Sequence, residues 1–530
     1  MNRKHLFVII LNLCIAFGYY LGNVSSNETH LSSDLHNIIP VCLKMDDPSL
    51  YPYDTFANDL DNVKYYTPFY VETLRFLAKF TDGNYVQAVN IVTFICHILF
   101  GLLWYFLLFK ITNNFWASVF VSLLLRGSIW LPGLEYWGIS DLWSVTPRVV
   151  YYALLPLPFL LIDFSKRSKL FVAAFTIGLL LNFHPITGLS GILIFLGYIL
   201  THSYLEKNSF RDIFRAHNFL CIFFVFLGML PFFINYAVNV PIKADYDLAL
   251  YREAFAIKFP SYFIDTTTFW KEWFKSKFII YGLAVVAFAV FAYRKGTEKD
   301  KLRLKYVLII SALLLVLPNV AAFVEASVNH LFEINIRMSF QLVRMQKLVI
   351  LAAFFSVLFS IDILYRNDAF KRIFPYAVAG FMILLCVAKH PIFDKVPLVS
   401  NDLIRRVMPN SLSLGNIQNG TASEDLYEVL TYIRTKLPKD ALLFAPDVCR
   451  SGGRRSVVLD SKGANMLIEG NPKRFLEWYT DYKAFKKLSG KEANQYLRDY
   501  GVDYVLIYID LPEFETVIKR GKWRLYKVGN

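Results

Sequence analysis

Three long apolar segments constrain this 530-residue chain more than any other feature of its sequence. They read FLCIFFVFLGMLPFFINYAV (219–238), FIIYGLAVVAFAVFAY (278–293) and YVLIISALLLVLPNVAAFV (306–324). About 20 apolar residues in a helix span the hydrocarbon core of a bilayer, where every backbone polar group needs an internal partner. Because 55% of all residues are hydrophobic, we expect an all-α polytopic membrane domain over residues 1–393.

Basic residues indicate which loops face the cytoplasm. The formal net charge is +14, and short loops between apolar segments carry most of the excess, at 165–169, 206–218, 294–305 and 366–372. Short basic loops are typical of the cytoplasmic side, so the excess predicts contact with membrane lipids and no nucleic-acid partner. When successive loops are assigned alternately to the two sides of the membrane, the apolar segments predict about eleven transmembrane helices. The protein is therefore expected to be a multi-pass protein of the cell (inner) membrane. The first helix is expected to be uncleaved with a cytoplasmic N-terminus, a cleaved signal peptide being the alternative.

One loop departs from this charge pattern. Residues 240–277 are predicted to lie outside, although six cations occur there: Lys243, Arg252, Lys258, Lys271, Lys275 and Lys277. Either the count of spans is off at this point, or these cations face phosphate or lipid headgroups.

The sequence changes character after the last apolar segment. Residues 394–422 are rich in Asn, Ser and Pro and are predicted to be a linker. Beyond them, 423–530 carry two helical patterns and three buried-strand patterns, ALLFAP, VDYVLIYI and WRLYKV. The expectation is a small extracytoplasmic α/β domain. A disulfide between Cys42 and Cys449, both predicted to lie outside, is left open.

An acidic first external loop, 23–85, follows the first helix. Its stretch SSDLHNIIPVCLKMDDPSLYPYD (32–54) holds four aspartates, and carboxylates beside cations suit a general base or a divalent-metal ligand. Asp34 lies nearest the bilayer and is the candidate catalytic residue. His36 would share a metal (Mg²⁺ or Mn²⁺) or a proton with it, and Asp54 is a candidate substrate-binding residue. A solvated acidic loop is the alternative.

The stretch SVTPRVVYY (144–152) predicts an anion site. Thr146 suits the cap position of a helix, and Pro147 suits its first turn. The free N–H groups there, together with the Arg148 guanidinium, would attract phosphate. An arginine that merely reaches the membrane surface is the alternative.

A short span precedes the motif NFHPITGL (182–189). The residues between Lys169 and His184 make about 22 Å of helix, less than the roughly 30 Å hydrocarbon core, so this helix is expected to end inside the protein or a water-filled cavity. His184 is predicted at a helix C-terminus, where the dipole favours imidazolium and contact with phosphate. A structural cap is the alternative.

A third cationic candidate precedes an apolar helix, in NIRMSFQLVRMQK (335–347). Arg337, Gln341 and Arg344 have the spacing of one helical face. Two cations and an amide on one face suit a phosphate or pyrophosphate group. A basic flank of a membrane helix is the alternative.

Together these features resemble the GT-C superfamily of polytopic glycosyltransferases. The resemblance rests on Asp34 after the first helix, the amphipathic YYTPFYVETLRFLAKF (65–80) before the second, and the C-terminal domain. The stretches DDPSLYPYD, TPR, HPITGL, QLVR and 454–479 also resemble an uncharacterised bacterial group of GT-C-like proteins. The WWD signature of oligosaccharyltransferases is absent from the sequence.

The resemblance implies an inverting glycosyltransferase with a polyprenyl-phosphate-linked sugar donor. The donor phosphate would lie against Arg148, Arg344 and His184. Asp34 would take the proton of an acceptor hydroxyl or hold a metal, and the acceptor would be a glycan, lipid or protein of the cell envelope. A transporter or flippase of lipid-linked glycans and a non-catalytic scaffold of polysaccharide assembly are the alternatives.

Overall fold

The computed structural model of the protein is mostly helical, with one small sheet near the C-terminus. It describes residues 3–23, 25, 27–31, 34–63, 68–127, 145–207, 209–238, 246–258, 271, 276–334, 342–387 and 424–529. The predicted combination of an all-α membrane region with a small C-terminal α/β region is confirmed.

The chain forms two compact units, each built from three segments. The helical unit comprises Met1–Val24, Val92–Pro231 and Phe259–Ile417. The mixed unit comprises Ser25–Ile91, Phe232–Lys258 and Gln418–Asn530. The acidic segment after the first helix therefore belongs to the same unit as the C-terminal segment.

Fifteen α-helices are described before the C-terminal segment, and they are numbered in chain order. They are α1 Arg3–Asn23, α2 Leu35–Asp46, α3 Pro68–Ala78, α4 Tyr85–Thr112, α5 Phe115–Gly127, α6 Pro147–Leu154, α7 Pro156–Leu161, α8 Arg167–Leu180, α9 Pro185–Lys207, α10 Ala216–Val238, α11 Leu248–Lys258, α12 Ser276–Lys295, α13 Glu298–Phe332, α14 Ile350–Leu364 and α15 Asp368–Val387.

Five helices of the described chain are long and apolar enough to cross a membrane. These spans are Tyr85–Thr112, Pro185–Glu206, Ala216–Asn235, Glu298–Phe332 and Met345–Leu364. Helix α8 is shorter, at 14 residues, as expected for a helix that ends before it has crossed the bilayer. The predicted total of about eleven spans stays a prediction.

Glycines let α8 and α10 approach at backbone distance. A Cβ on Gly178 of α8 would lie 2.0 Å from the Val225 carbonyl oxygen, and one on Gly228 of α10 would lie 2.2 Å from the Phe175 carbonyl oxygen. The Asn182 side chain just beyond α8 donates to the Gly228 carbonyl at 3.0 Å. Small residues allow such close helix packing in membranes, and here the packing fixes the turn that leads to His184.

The mixed unit contains a five-stranded sheet of order β2-β1-β3-β5-β4. Strand β1 pairs in parallel with β2 and β3, whereas β5 pairs antiparallel with β3 and β4. The strands are β1 Leu442–Phe444, β2 Ser456–Val457, β3 Tyr504–Ile507, β4 Glu515–Arg520 and β5 Trp523–Lys527. The three predicted strand patterns correspond to β1, β3 and β5 and are confirmed.

Helices cover both faces of this sheet. They are α16 Glu424–Lys436, α17 Ser461–Ala464, α18 Leu467–Gly470, α19 Pro472–Phe485 and α20 Gly490–Asp499. Alternate strand residues point to opposite faces. Leu443 therefore packs with Ile433 of α16, while its neighbour Leu442 packs with Leu497 of α20. Gly501 ends α20 with a φ of +81°, as its position predicts.

Residues that follow α1 pack directly on the C-terminal segment. The Tyr51 hydroxyl donates to the Arg450 carbonyl at 2.7 Å, and the Thr55 amide donates to the Val457 carbonyl at 3.2 Å. Cys42 and Cys449 are both buried free thiols. No disulfide joins these two cysteines. Hydrogen bonds and buried packing hold the segment after α1 against the C-terminal segment.

Candidate functional site

Asp34 stands at the start of α2 in the mixed unit. Its carbonyl accepts from the Asn37 and Ile38 amides at 3.1 and 3.2 Å, but its side chain makes no capping bond. The carboxylate instead accepts from Lys462 Nζ at 2.7 Å, and the Asp34 side chain stays 37% exposed. A carboxylate that is held by one cation and also reaches solvent can still contact a substrate.

Lys462 belongs to α17, whose first turn is fixed by Asp460. The Asp460 carboxylate accepts from the Gly463 amide at 2.6 Å and so caps this short helix. The Lys462 carbonyl also accepts from the Asn37 side chain at 3.3 Å. Two contacts between α2 and α17 therefore hold Asp34 and Lys462 together.

A second lysine lies beside this pair. Lys258, the last residue of α11, donates to the carbonyl and hydroxyl of Ser461, and its ammonium lies 5.3 Å from the centre of the Trp478 ring. The pKa of Lys258 is lowered to about 8, mainly by burial; the charge of Asp460 opposes this shift, and the charge of Lys462 adds to it. Lys258 is thus a cation that titrates close to neutral pH.

Arg450 forms the buried ionic centre of the mixed unit. Its Nε donates to Asp54 at 2.6 Å, its Nη1 donates to Asp460 at 3.0 Å, and its Nη2 donates to the Val457 carbonyl at 3.0 Å. The guanidinium also lies 4.8 Å from the centre of the Phe56 ring. Burial opposes ionisation of Asp460, but the Arg450 charge outweighs it and the pKa of Asp460 is lowered.

Asp54 is a structural residue in this arrangement. Its side chain is completely buried. Besides Arg450, its carboxylate accepts from the amides of Phe56, Ala57 and Val457 at 3.0, 2.9 and 2.8 Å. The prediction that Asp54 binds substrate is corrected here, because protein donors surround both oxygens and leave no path to solvent.

His36 is the second residue of α2 and is buried. Its Nδ1 lies 2.9 Å from the Ser451 hydroxyl, and burial lowers its pKa, so that the imidazole is neutral at neutral pH. Residues two apart on a helix do not face each other, so His36 and Asp34 are poorly arranged to share an ion. Among the residues that the structure describes, no group of three or more His, Cys, Asp and Glu side chains could hold a metal.

Arg148 lies near the start of α6 in the helical unit. As the sequence predicts, Thr146 takes the cap position with an extended backbone, and Pro147 is the first helical residue. Arg148 is buried, and the Thr146 hydroxyl is buried without a hydrogen-bond partner among the described residues. The predicted phosphate site, built from this hydroxyl, the helix amides and the Arg148 guanidinium, stays a prediction.

His184 joins two helices. It follows the 3₁₀ turn Leu181–Phe183 and precedes α9, where its Nδ1 accepts from the Thr187 amide at 3.1 Å. The sequence predicted the end of one helix but missed that Pro185 begins the next. Nδ1 accepts this bond through its lone pair, and the expected contact of His184 with phosphate stays a prediction.

Helix α6 packs against the turn that ends at His184. The Tyr151 hydroxyl of α6 donates to the Gly188 carbonyl of α9 at 3.4 Å. Arg148 and His184 therefore belong to neighbouring elements of the helical unit. Their convergence with Asp34 of the mixed unit stays a prediction.

The remaining predicted face lies largely outside the described residues. Arg337 and Gln341 fall outside them, and Arg344 is described only through its backbone, at the start of the 3₁₀ turn Arg344–Val349. Their common face stays a prediction.

Sequence reasoning missed Lys462 as a partner of Asp34. The two residues are 428 positions apart, and no local pattern connects them. The sequence offered a weaker indication for Lys258, which is one of the six cations in the loop 240–277 that is predicted to lie outside.

Comparison with known proteins establishes the fold. No protein-family model matches the chain, and no curated protein sequence matches it. Among solved structures, ArnT from Cupriavidus metallidurans, solved bound to undecaprenyl phosphate, is similar with a TM-score of 0.50 and 11% sequence identity, covering 98% of each chain. The chain thus shares the fold of this ArnT structure over nearly its whole length.

Proposed function

We propose that this protein is an inverting membrane glycosyltransferase that uses a polyprenyl-phosphate-linked sugar as donor. The acceptor would be a lipid, glycan or protein of the cell envelope. One observation carries the proposal: in a chain with a GT-C fold, Asp34 is a solvent-reaching carboxylate, ion-paired with Lys462, at the start of the first helix after α1.

The reaction needs one base and one good leaving group. Asp34 would take the proton of the acceptor hydroxyl as its oxygen attacks the anomeric carbon from the side opposite the phosphate. The bond between the anomeric carbon and the phosphate oxygen breaks, and polyprenyl phosphate leaves with the bonding electrons. A single displacement of this kind inverts the anomeric centre.

Lys462 would serve both the base and the donor. Its ammonium favours the ionised form of the carboxylate that it contacts, and an ammonium is a point charge that also suits a phosphate. Lys258 would add a second positive charge nearby, because it donates to the hydroxyl of Ser461, the residue that precedes Lys462. Arg148 and His184 are the proposed phosphate contacts of the helical unit.

A divalent cation on Asp34 is the alternative role for this residue. The described side chains do not supply a set of ligands with His36, but Mg²⁺ is commonly held by one or two carboxylates together with substrate phosphates. Donor binding that depends on added Mg²⁺ or Mn²⁺ and is lost on chelation would favour this alternative.

The proposed orientation puts the N-terminus in the cytoplasm and Asp34 outside. The support is the alternation of basic loops with apolar spans. A reporter fused after Asn530 should be active only outside the cytoplasm, and one fused near Lys299 only inside.

A transfer assay tests the activity. The purified full-length protein in nanodiscs would be supplied with a panel of polyprenyl-phosphate sugars and cell-envelope acceptors, and released polyprenyl phosphate would be measured. Wild type should release it in the presence of acceptor, and Asp34→Asn should not. Asp59→Asn is the matched control, because Asp59 is an exposed aspartate of the same segment. Equal release by Asp34→Asn and wild type would refute the assigned base.

A further inference from the structure

The helical unit contains a polar cavity that is lined by none of the residues proposed for the reaction. It encloses about 510 Å³. Its lining includes the cations Lys4, Arg366 and Lys371 and the aromatic residues Phe115 and Trp116. All of these lie at ends of helices.

The cavity lies where several membrane-spanning helices end together. Arg303, in the second turn of α13, donates to the Ile111 carbonyl at the end of α4 at 2.9 Å. The same guanidinium donates to Asp362 at the end of α14 at 2.8 Å. Because α4 and α13 are long enough to cross a bilayer, we place these helix ends, and the cavity between them, near the depth of lipid headgroups.

Two arginines neutralise the carboxylates around the cavity. Asp300 is completely buried and pairs with both Arg303 at 3.1 Å and Arg366 at 2.7 Å. Asp362, which lines the cavity, pairs with Arg303. The exposed lining residue Lys371 therefore adds positive charge to an already balanced network, and Lys4 is a second cation of the lining, so the cavity favours an anion.

The neighbouring surface of α1 is apolar and exposed. Its outward side chains are Leu6, Phe7, Ile10, Leu13 and Phe17. Lys4 precedes this row and lies 5.7 Å from the centre of the Phe115 ring. A phosphate held in the cavity would thus have an apolar surface beside it for attached acyl chains.

We infer that this cavity binds the phosphate of an anionic phospholipid headgroup. Cations and amide groups would contact the phosphate, Trp116 would lie at the interfacial depth that tryptophan favours, and the acyl chains would follow α1. The site is separate from the proposed glycosyl transfer. On the proposed orientation it faces the inner leaflet.

Binding of phosphatidylglycerol to the full-length protein tests this site. The protein would be delipidated in a neutral detergent, and native mass spectrometry would measure retention of phosphatidylglycerol and phosphatidylcholine. Wild type should retain phosphatidylglycerol preferentially. Lys371→Glu should weaken that binding by about tenfold to a hundredfold, as expected when a charge-assisted phosphate contact is lost. Lys371→Gln is a milder variant should the reversal disturb folding.

Arg372→Glu is the matched control. Arg372 is the next residue of α15 and is exposed, but it does not line the cavity. Its reversal should change binding less than twofold. Equal losses for Lys371→Glu and Arg372→Glu, or equal retention of both lipids by wild type, would overturn the proposal.

Inorganic phosphate distinguishes the source of the ligand. If millimolar phosphate leaves phosphatidylglycerol in place, the acyl chains contribute and the lipid assignment is supported. If it displaces the lipid from wild type, the phosphate chemistry holds but the lipid assignment is overturned.

Discussion

Asp34 and Asp54 belong to the same acidic segment, and each pairs with a cation of the C-terminal segment, yet their surroundings differ. Asp34 meets Lys462 at 2.7 Å and stays 37% exposed. Asp54 meets Arg450 at 2.6 Å and is completely buried. The two ion pairs therefore have nearly equal distances but differ in how far their side chains are buried.

The physical reason is the cost of leaving a charge alone. An exposed carboxylate that loses its lysine is solvated by water, so its partner can be exchanged for substrate at little cost. A buried carboxylate that loses its arginine has no such replacement. The exposed pair can take part in chemistry, whereas the buried pair holds the mixed unit together.

Loss of the buried cation should have the largest effect on stability. Arg450→Leu would leave Asp54 and Asp460 charged without their guanidinium, which costs about 3–5 kcal/mol. Hydrogen exchange of the β1 and β3 amides in the full-length protein would report the opening free energy of the mixed unit. If the opening free energy falls by less than about 1 kcal/mol, burial does not make the Arg450–Asp54 pair more important for stability than the Lys462–Asp34 pair.

Loss of the exposed cation should affect the donor instead. Lys462→Ala should raise the apparent Kd for the polyprenyl-phosphate sugar by about tenfold to a hundredfold, with strand protection unchanged. Lys462→Arg should keep most of the affinity. Lys473→Ala serves as the control, since Lys473 is an exposed lysine of the same segment. A drop in protection as large as that of Arg450→Leu would contradict the account.

The pH dependence of donor binding should report Lys258. Burial lowers its pKa from 10.5 to about 8, so its positive charge is lost as pH rises through 8. Donor affinity should then fall by roughly fivefold, corresponding to about 1 kcal/mol at a solvated site. Lys258→Arg should remove this step. A pH profile that is the same in both proteins would exclude Lys258 from the site.

Lys258 should act on stability with the opposite sign. Between pH 8 and 10.5 the unfolded chain binds more protons at this residue than the folded one, so its contribution to stability rises with pH. Strand protection should therefore not fall over the range in which donor binding weakens. Unchanged strand protection would show that the weaker donor binding comes from the lost charge of Lys258 and not from unfolding.

The smallest effect is expected for an exposed arginine pair. Arg520 Nε lies 2.6 Å from Glu428, the same distance as between Arg450 Nε and Asp54, but both partners are more than half exposed. Arg520→Ala should reduce the opening free energy by about 1 kcal/mol or less. A loss equal to that of Arg450→Leu would mean that distance, not burial, sets the strength of these pairs.

Local sequence predicted the elements whose pattern is apolar. Strands β1, β3 and β5 are buried runs, and α16 has its apolar residues on one face. Strand β4 was missed because its sequence, ETVIKR, is half charged. It is defined by pairing with β5 and not by its own residues.

The candidate site could be predicted only in part for the same reason. Asp34 was identified from its position after the first helix, but Lys462 reaches it through long-range packing of α2 on α17. Asp54 was a candidate ligand because it is one of four aspartates in the stretch 32–54 that follows the first helix. Its partner Arg450 is 396 residues away, so its burial could not be read from the local sequence.

The central claim is that Asp34 acts in the transition state while the cations around it bind the donor. Donor Kd and turnover should be measured separately for Asp34→Asn in the full-length protein. A base contributes to the chemical step and little to ground-state binding, so turnover should fall by about 10²–10⁴-fold while donor Kd changes by less than about threefold. If Asp34→Asn turns over like wild type, or loses donor affinity in proportion to turnover, Asp34 is not the base.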